Sequence, residues 1–134
     1  MFVRRWMTSP PSMLLSDTPV GDALRFMECR GVAHLAVLGP RGFEGLVSRE
    51  RVREALSKRD VFTPRRPLEL GALVEGKPLS VSPAETMENA VRLLLERGAS
   101  TLAVVDGGQL AGILSVADAL RAFSTILGAA GSAA

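Results

Sequence analysis

Apolar positions along the chain change their period in a fixed order, and the order occurs twice. Val3, Trp6 and Met7 are three and four apart, as on one face of a helical turn, and a break at Pro10-Pro11 follows. Met13-Leu14-Leu15 has the length of a short strand. Ser16-Asp17-Thr18-Pro19 predicts a helix start, with Thr18 as N-cap and Pro19 in the first helical position. Val20, Ala23, Leu24 and Met27 then share one helix face, and Gly31 ends the helix. His34 to Leu38 predicts a strand, Gly39-Pro40-Arg41-Gly42 a turn, and Phe43 to Val47 the returning strand. Ser48 opens a second helix with Val52, Ala55 and Leu56 on its apolar face.

A polar, proline-broken stretch follows, and the pattern then returns. Leu70, Leu73 and Val74 stand where Val3, Trp6 and Met7 stood, and Leu79-Ser80-Val81 where the first strand stood. Ser82-Pro83-Ala84-Glu85 has the form of a capping box. The helix after it carries Met87, Ala90, Val91 and Leu94 on one face and ends at Gly98. Thr101 to Val105 and Leu110 to Leu114 flank an Asp106-Gly107-Gly108 turn, and the last helix runs from Val116 to about Phe123. The offset is 67 positions, the distance from Gly45 to Gly112, and it holds without a gap through pairs such as Ala23/Ala90, Gly31/Gly98, Val37/Val104 and Ser48/Ser115. This predicts an α+β fold of two β-α-β-β-α repeats. Neither has enough core to stand alone, and the two pack sheet to sheet about a pseudo-twofold axis. The boundaries expected are 1–57 for repeat 1 with its helical lead-in, 58–69 for a linker, 70–126 for repeat 2 and 127–134 for a flexible tail.

Composition narrows the functional classes. At 47% hydrophobic and 22% charged, the chain is globular, not disordered. Sixteen Lys and Arg against fourteen Asp and Glu leave a net charge of +2, which gives no polybasic footprint for nucleic acid. No apolar run reaches membrane-spanning length and no signal-peptide core follows the first charges. Cys29 is the one cysteine, so there is no disulfide within the chain and no cysteine metal site, which suits the cytoplasm. Inside an apolar helical run, Cys29 is expected to be a small buried residue.

The chemistry concentrates in Gly112-Ile113-Leu114-Ser115-Val116-Ala117-Asp118. A strand ends in Ser115, and Asp118 follows within the first turn of a helix, where unpaired N–H groups and the helix dipole favour anionic groups. Ser115-x-x-Asp118 is also a capping-box pattern. The two roles are compatible, because the carboxylate can accept from the vicinal hydroxyls of a ribose. Repeat 1 has the same glycine, apolar pair and serine in Gly45-Leu46-Val47-Ser48, but Arg51 in place of the aspartate. The single histidine, His34, opens a strand with no acid or nucleophile at a telling spacing. Gly39-x-x-Gly42-x-x-Gly45 joins strand to strand and lacks a phosphate-loop lysine, so it is a hairpin turn. No metal-ligand cluster and no catalytic constellation is visible, and an enzyme is not expected.

In this order and at this fixed offset, these motifs resemble a tandem pair of CBS domains, a Bateman module, over residues 3 to 123. The motifs are Trp6-Met7-Thr8 before proline, the Ser-Asp-Thr-Pro start at 16–19, the glycine-ended helices and the two Gly-apolar-apolar-Ser endings. The pattern is similar to small stand-alone bacterial CBS-pair proteins, including the acetoin-utilisation type without its further C-terminal domain. The resemblance implies a regulatory module that senses AMP, ADP, ATP or S-adenosylmethionine in the cleft between the repeats. It places ribose and phosphate contacts at Ser115 and Asp118, and adenine contacts at Leu79, Ser80, Val81, Ser100, Thr101 and Leu102. A second, weaker site falls at Ser48, Arg51 and His34, expected to be empty or to hold only phosphate-like anions. The family often has proline where Ala36 and Ala103 stand here.

Phe26, Met27, Leu93, Leu94, Leu95, Leu120 and Phe123 exceed what one inner stripe needs, so a homodimer through the helices is expected. A ligand-free CBS pair acting as a dimerisation scaffold is the alternative, and in either case an unidentified regulated protein is the further partner.

Overall fold

The computed structural model describes residues 1–58, 67–74 and 76–133. Its elements are α1 (Val3–Trp6), β1 (Met13–Leu15), α2 (Val20–Arg30), β2 (His34–Gly39), β3 (Gly42–Ser48) and α3 (Arg49–Ser57), then a 3-10 turn (Leu70–Leu73). After it come β4 (Ser80–Val81), α4 (Met87–Arg97), β5 (Thr101–Asp106), β6 (Gln109–Ser115) and α5 (Val116–Ala133). Most of the 58–69 linker lies outside the described residues. The α+β class and the doubled β-α-β-β-α order are as the periodicity predicts.

The chain forms two compact units, one of Ser12–Pro78 and one of Met1–Pro11 with Leu79–Ala134. These units do not coincide with the sequence repeats, because each takes its lead-in from the other repeat. In the first unit β1 pairs parallel to β2, and β2 antiparallel to β3. Val20, Ala23, Met27, Leu35, Val37, Val47 and Val52 form its core together with Leu70 and Leu73 of the 3-10 turn. That turn is fixed by Leu70 N–H donating to the Thr18 carbonyl (2.8 Å) and Gly71 N–H to Ser16 (2.9 Å).

The other unit repeats this plan, with β4 parallel to β5 and β5 antiparallel to β6. Its core is Val3 of α1 with Met87, Ala90, Leu94, Leu102, Val104, Leu114 and Ala122. Val3 N–H donates to Glu85 (2.9 Å) and Arg4 N–H to Pro83 (3.0 Å), the same two bonds at the 67-residue offset. Both hairpins carry one bulge at the same place, with Glu44 extra in the first and Ala111 in the second. Gly31 (φ 65°) and Gly98 (φ 60°) close α2 and α4 in the left-handed conformation that a side chain would resist.

Several expectations are corrected. Thr18 does not cap α2: Pro19 is extended (φ −59°, ψ 138°) and is itself the capping position, without a side-chain bond. Ser82 does not cap α4 either. Pro83 keeps the chain in a turn, where Ser82 Oγ accepts from Ala84 N–H (3.1 Å), and the N-cap is Thr86, whose Oγ1 accepts from Asn89 N–H (3.2 Å). Cys29 is exposed, because it lies about 200° around α2 from buried Met27. Met27 and Leu94 belong to the cores of their own units, since each follows the inner alanine by one turn, whereas Leu95, Leu120 and Phe123 are 78%, 64% and 61% exposed. The expected flexible tail continues α5 as far as Ala133. Its residues are mostly good helix formers, and Gly128 and Gly131 each subtract only about 1 kcal/mol. No described helix is long and apolar enough to cross a membrane.

Candidate functional site

The site is built where β6 runs into α5. A Cβ on Gly112 would lie 2.8 Å from the Thr8 carbonyl oxygen and 2.8 Å from the Met7 sulfur. Glycine is therefore required for the lead-in to lie against β6. Thr8 and Ile113 exchange two backbone bonds there (2.8 and 3.1 Å), and Ser9 Oγ donates to Ala111 O (3.0 Å). The first repeat uses Gly45 in the same way, against the Val74 side chain. The glycine of the motif is thus a close-approach residue that fixes the end of the strand.

Beyond it, Ser115 and Asp118 cap α5 reciprocally. Asp118 N–H donates to Ser115 Oγ (3.1 Å), and Ser115 N–H donates to Asp118 Oδ2 (2.9 Å), with the aspartate in the role usually taken by glutamate. The second carboxylate oxygen, Oδ1, accepts from Arg121 Nη2, one turn further along. Asp118 is the one buried charged side chain among the described residues, 2% exposed, whereas the Arg121 side chain is 66% exposed. Burial of the carboxylate is sustained by the backbone N–H and the guanidinium together.

The sheet brings most of the expected site residues to one end. Thr101 lies opposite Ser115 in the β5–β6 ladder, and Val116 N–H donates to the Ser100 carbonyl (3.0 Å). Because β4 runs parallel to β5, Leu79 and Ser80 enter at that same end, with Ala103 N–H donating to Leu79 O (2.9 Å). Ser80 and Ser100 are exposed, and Thr101 and Ser115 half-buried. Leu79 and Val81 pack partly against the unit's core, and the Leu102 side chain is fully inside it. One buried carboxylate thus stands beside the Ser115 hydroxyl, with Ser80, Ser100 and Thr101 at the same end of the sheet, and a carboxylate can accept from the hydroxyls of a sugar or polyol.

Repeat 1 keeps the frame and inverts the charge. Ser48 Oγ caps α3 by accepting from Arg51 N–H (3.2 Å), Arg49 N–H donates to Ala33 O (2.9 Å), and His34 stands opposite Ser48. Arg51 Nε donates to the Leu73 carbonyl (2.9 Å), so the arginine holds the 3-10 lead-in. Glu54, at the position of Arg121, accepts from Lys58 (2.7 Å). The hydrogen bond and charge of Lys58 hold its carboxyl below the usual glutamate range, and the Arg51 charge adds to this. Where one repeat reads Asp118–Arg121, the other reads Arg51–Glu54. Arg121 and Glu54 are not among the site residues expected from the sequence, and their spacing of three residues from Asp118 and Arg51 is the signal that marks them. Among the described residues no group of three or more His, Cys, Asp or Glu could hold a metal ion.

A family model for the CBS domain matches residues 3–58 and again residues 70–125. Among solved structures, CBSX2 in complex with AMP is 29% identical, with 93% of this chain and 97% of that one aligned and a TM-score of 0.73. A Vibrio cholerae protein ascribed to acetoin utilization (AcuB) is 20% identical over 98% and 96%, with a TM-score of 0.80. The CBS-domain pair of MJ0100, in complex with 5-methylthioadenosine and S-adenosylmethionine, is 17% identical over 92% and 99%, at 0.78. Among curated proteins, the A-adding tRNA nucleotidyltransferase of Aquifex aeolicus (strain VF5) is 31% identical over 121 residues, and the chain spans 14% of that enzyme's length.

Proposed function

The chain belongs to the CBS-domain family, and from that premise we propose that it is a non-catalytic regulatory module that binds an adenosine-containing ligand. AMP, ADP, ATP and S-adenosylmethionine are the candidates. The observation that carries this reading is the 29% identity, over nearly the whole of both chains, to a CBS pair crystallised with AMP. The buried Asp118 carboxylate beside Ser115 supports it. A carboxylate has about four lone-pair sites, and Ser115 N–H and Arg121 use two of them. The vicinal hydroxyls of a ribose compete with Arg121 for the lone pairs that Ser115 N–H leaves, with Ser80, Ser100 and Thr101 at the same end of the sheet. In repeat 1, Arg51 supplies donors only, so Ser48, Arg51 and His34 would take at most a phosphate-like anion.

Thermal unfolding with millimolar AMP, ADP, ATP or S-adenosylmethionine tests the reading. A ligand at 100 times its dissociation constant adds about 2.7 kcal/mol, a rise of roughly 8–13 °C for a domain of this size. Excess absorbance near 260 nm in the purified protein would show a ligand carried through purification. No shift with any of the four would favour the second reading, a ligand-free scaffold that dimerises through its helices. The exposed Leu95, Leu120 and Phe123 favour assembly in either case. Sedimentation at tens of micromolar should give a dimer, and a monomer there would reject the assembly.

A further inference from the structure

We infer that Arg121 selects phosphorylated adenosine over neutral or sulfonium-bearing adenosine. The inference rests on the proposed reading of Ser115 and Asp118 as the ribose site, and deepens it. Arg121 follows Asp118 by one helical turn, and Asp118 is its one ion-pair partner among the described residues. The guanidinium therefore stands on the carboxylate oxygen that a ribose hydroxyl would need. A ribose diol brings two O–H donors to Asp118 and competes with a donor-only guanidinium for its lone pairs. Once displaced, Arg121 is a cation on an exposed side chain, anchored one turn from the sugar. The 5′ substituent is the part of the ligand that differs among the candidates. A phosphate there offers paired acceptors to the guanidinium fork. An uncharged 5′ group offers nothing comparable, and in S-adenosylmethionine the sulfonium beside the sugar repels the guanidinium, while the carboxylate of that substituent stands several bonds farther out beside its own ammonium group.

The inverted pair in repeat 1 sharpens the assignment. At the position of Arg121 that repeat carries Glu54, already bonded to Lys58, and at the position of Asp118 it carries Arg51, bonded to the Leu73 carbonyl. A cation one turn behind a buried carboxylate is thus confined to the repeat that can hold the ribose.

Calorimetry on the full chain with AMP, adenosine and S-adenosylmethionine tests this, using the wild type, Arg121→Gln, Arg121→Lys and Asp118→Asn. The wild type should bind AMP about tenfold or more tighter than adenosine, as expected for one charge-assisted contact, and S-adenosylmethionine no tighter than adenosine. Arg121→Gln should bring that ratio close to one while adenosine binding persists. Arg121→Lys should keep part of the ratio, and raising the salt concentration should shrink it in the wild type. A ratio unchanged in Arg121→Gln, with adenosine still bound and weakened by Asp118→Asn, would overturn the role of Arg121 and leave the ribose site standing. No binding of AMP or adenosine by the wild type, or full affinity in Asp118→Asn, would overturn the ribose site and the inference together.

Discussion

Replacing Asp118 separates its part in the fold from its part in binding. In Asp118→Ala the Ser115 N–H loses its acceptor, and Arg121 loses its partner. A helix cap is worth about 0.5–2 kcal/mol, and a buried donor left unpaired costs about 1–3 kcal/mol. These describe largely the same bond and should not be added in full. The Arg121 pair contributes less, roughly 0.5 kcal/mol after screening, because its guanidinium end is two-thirds exposed. Asp118→Ala should therefore cost about 1.5–2.5 kcal/mol in all. Asp118→Asn keeps an oxygen that can still accept from Ser115 N–H and should cost about 0.5–1 kcal/mol. The gap between the two, about 1 kcal/mol, corresponds to roughly 3–5 °C in Tm at this chain length. Urea unfolding followed by circular dichroism measures both, with an unchanged m-value showing that the unfolded states are comparable. Both variants should lose AMP affinity by about tenfold to a hundredfold. If Asp118→Ala is as stable as the wild type, the reciprocal cap is not what holds the carboxylate. If Asn costs as much as Ala, the charge rather than the Ser115 bond is responsible.

Gly112→Ala should destabilise by about 1–3 kcal/mol, because the new methyl meets the backbone oxygen of Thr8, and hydrogen exchange should show early loss of protection at Thr8 and Ile113. Arg51→Ala should cost about 1 kcal/mol through the lost bond to Leu73 and leave AMP affinity within about twofold; a large loss of affinity would show that Arg51 touches the ligand. The Glu85 carboxyl accepts from Asn89 Nδ2 and from Thr86 N–H, and these bonds hold it below its ordinary 4.5. Its contribution is fully present above that value and is lost as pH falls through the lowered one. Urea midpoints measured from pH 6 to pH 3 should therefore fall less steeply in Glu85→Gln than in the wild type, and an identical acid slope would refute the bond to Asn89.

The elements were legible because their signals are local. Gly31 and Gly98 announce the ends of α2 and α4, since only glycine takes their backbone conformation without strain. The hairpins and the cap at Ser115 follow from residues within a few positions of one another, whereas the bulges at Glu44 and Ala111 have no counterpart among the sequence expectations. Cys29 is exposed although it stands in an apolar run, because the angle around the helix and not the run decides which residues face the core. The exchange of lead-ins was not legible for a deeper reason. Val3 and Leu70 occupy equivalent places, held by the same two backbone bonds. Each lead-in makes the same two backbone bonds, so those bonds do not record which unit it joins, and periodicity carries no information about it.

The charge inversion has the opposite character. The cap serine, the bond from the first helical N–H to the strand opposite, and the close-approach glycine are retained in both repeats. Within the first two turns of the last helix the charged positions change, among them Asp118 and Arg121 to Arg51 and Glu54. Had repeat 1 merely drifted, loss of the aspartate would leave Ser48 N–H without its carboxylate and nothing gained. Instead Arg51 reaches across to Leu73 and anchors the very lead-in that completes its unit's core. The same position therefore does structural work in one unit, whereas in the other it keeps a buried carboxylate under an exposed cation. In the proposed ligand-binding reading, discrimination between the two repeats then rests on which atoms accept and which donate rather than on shape.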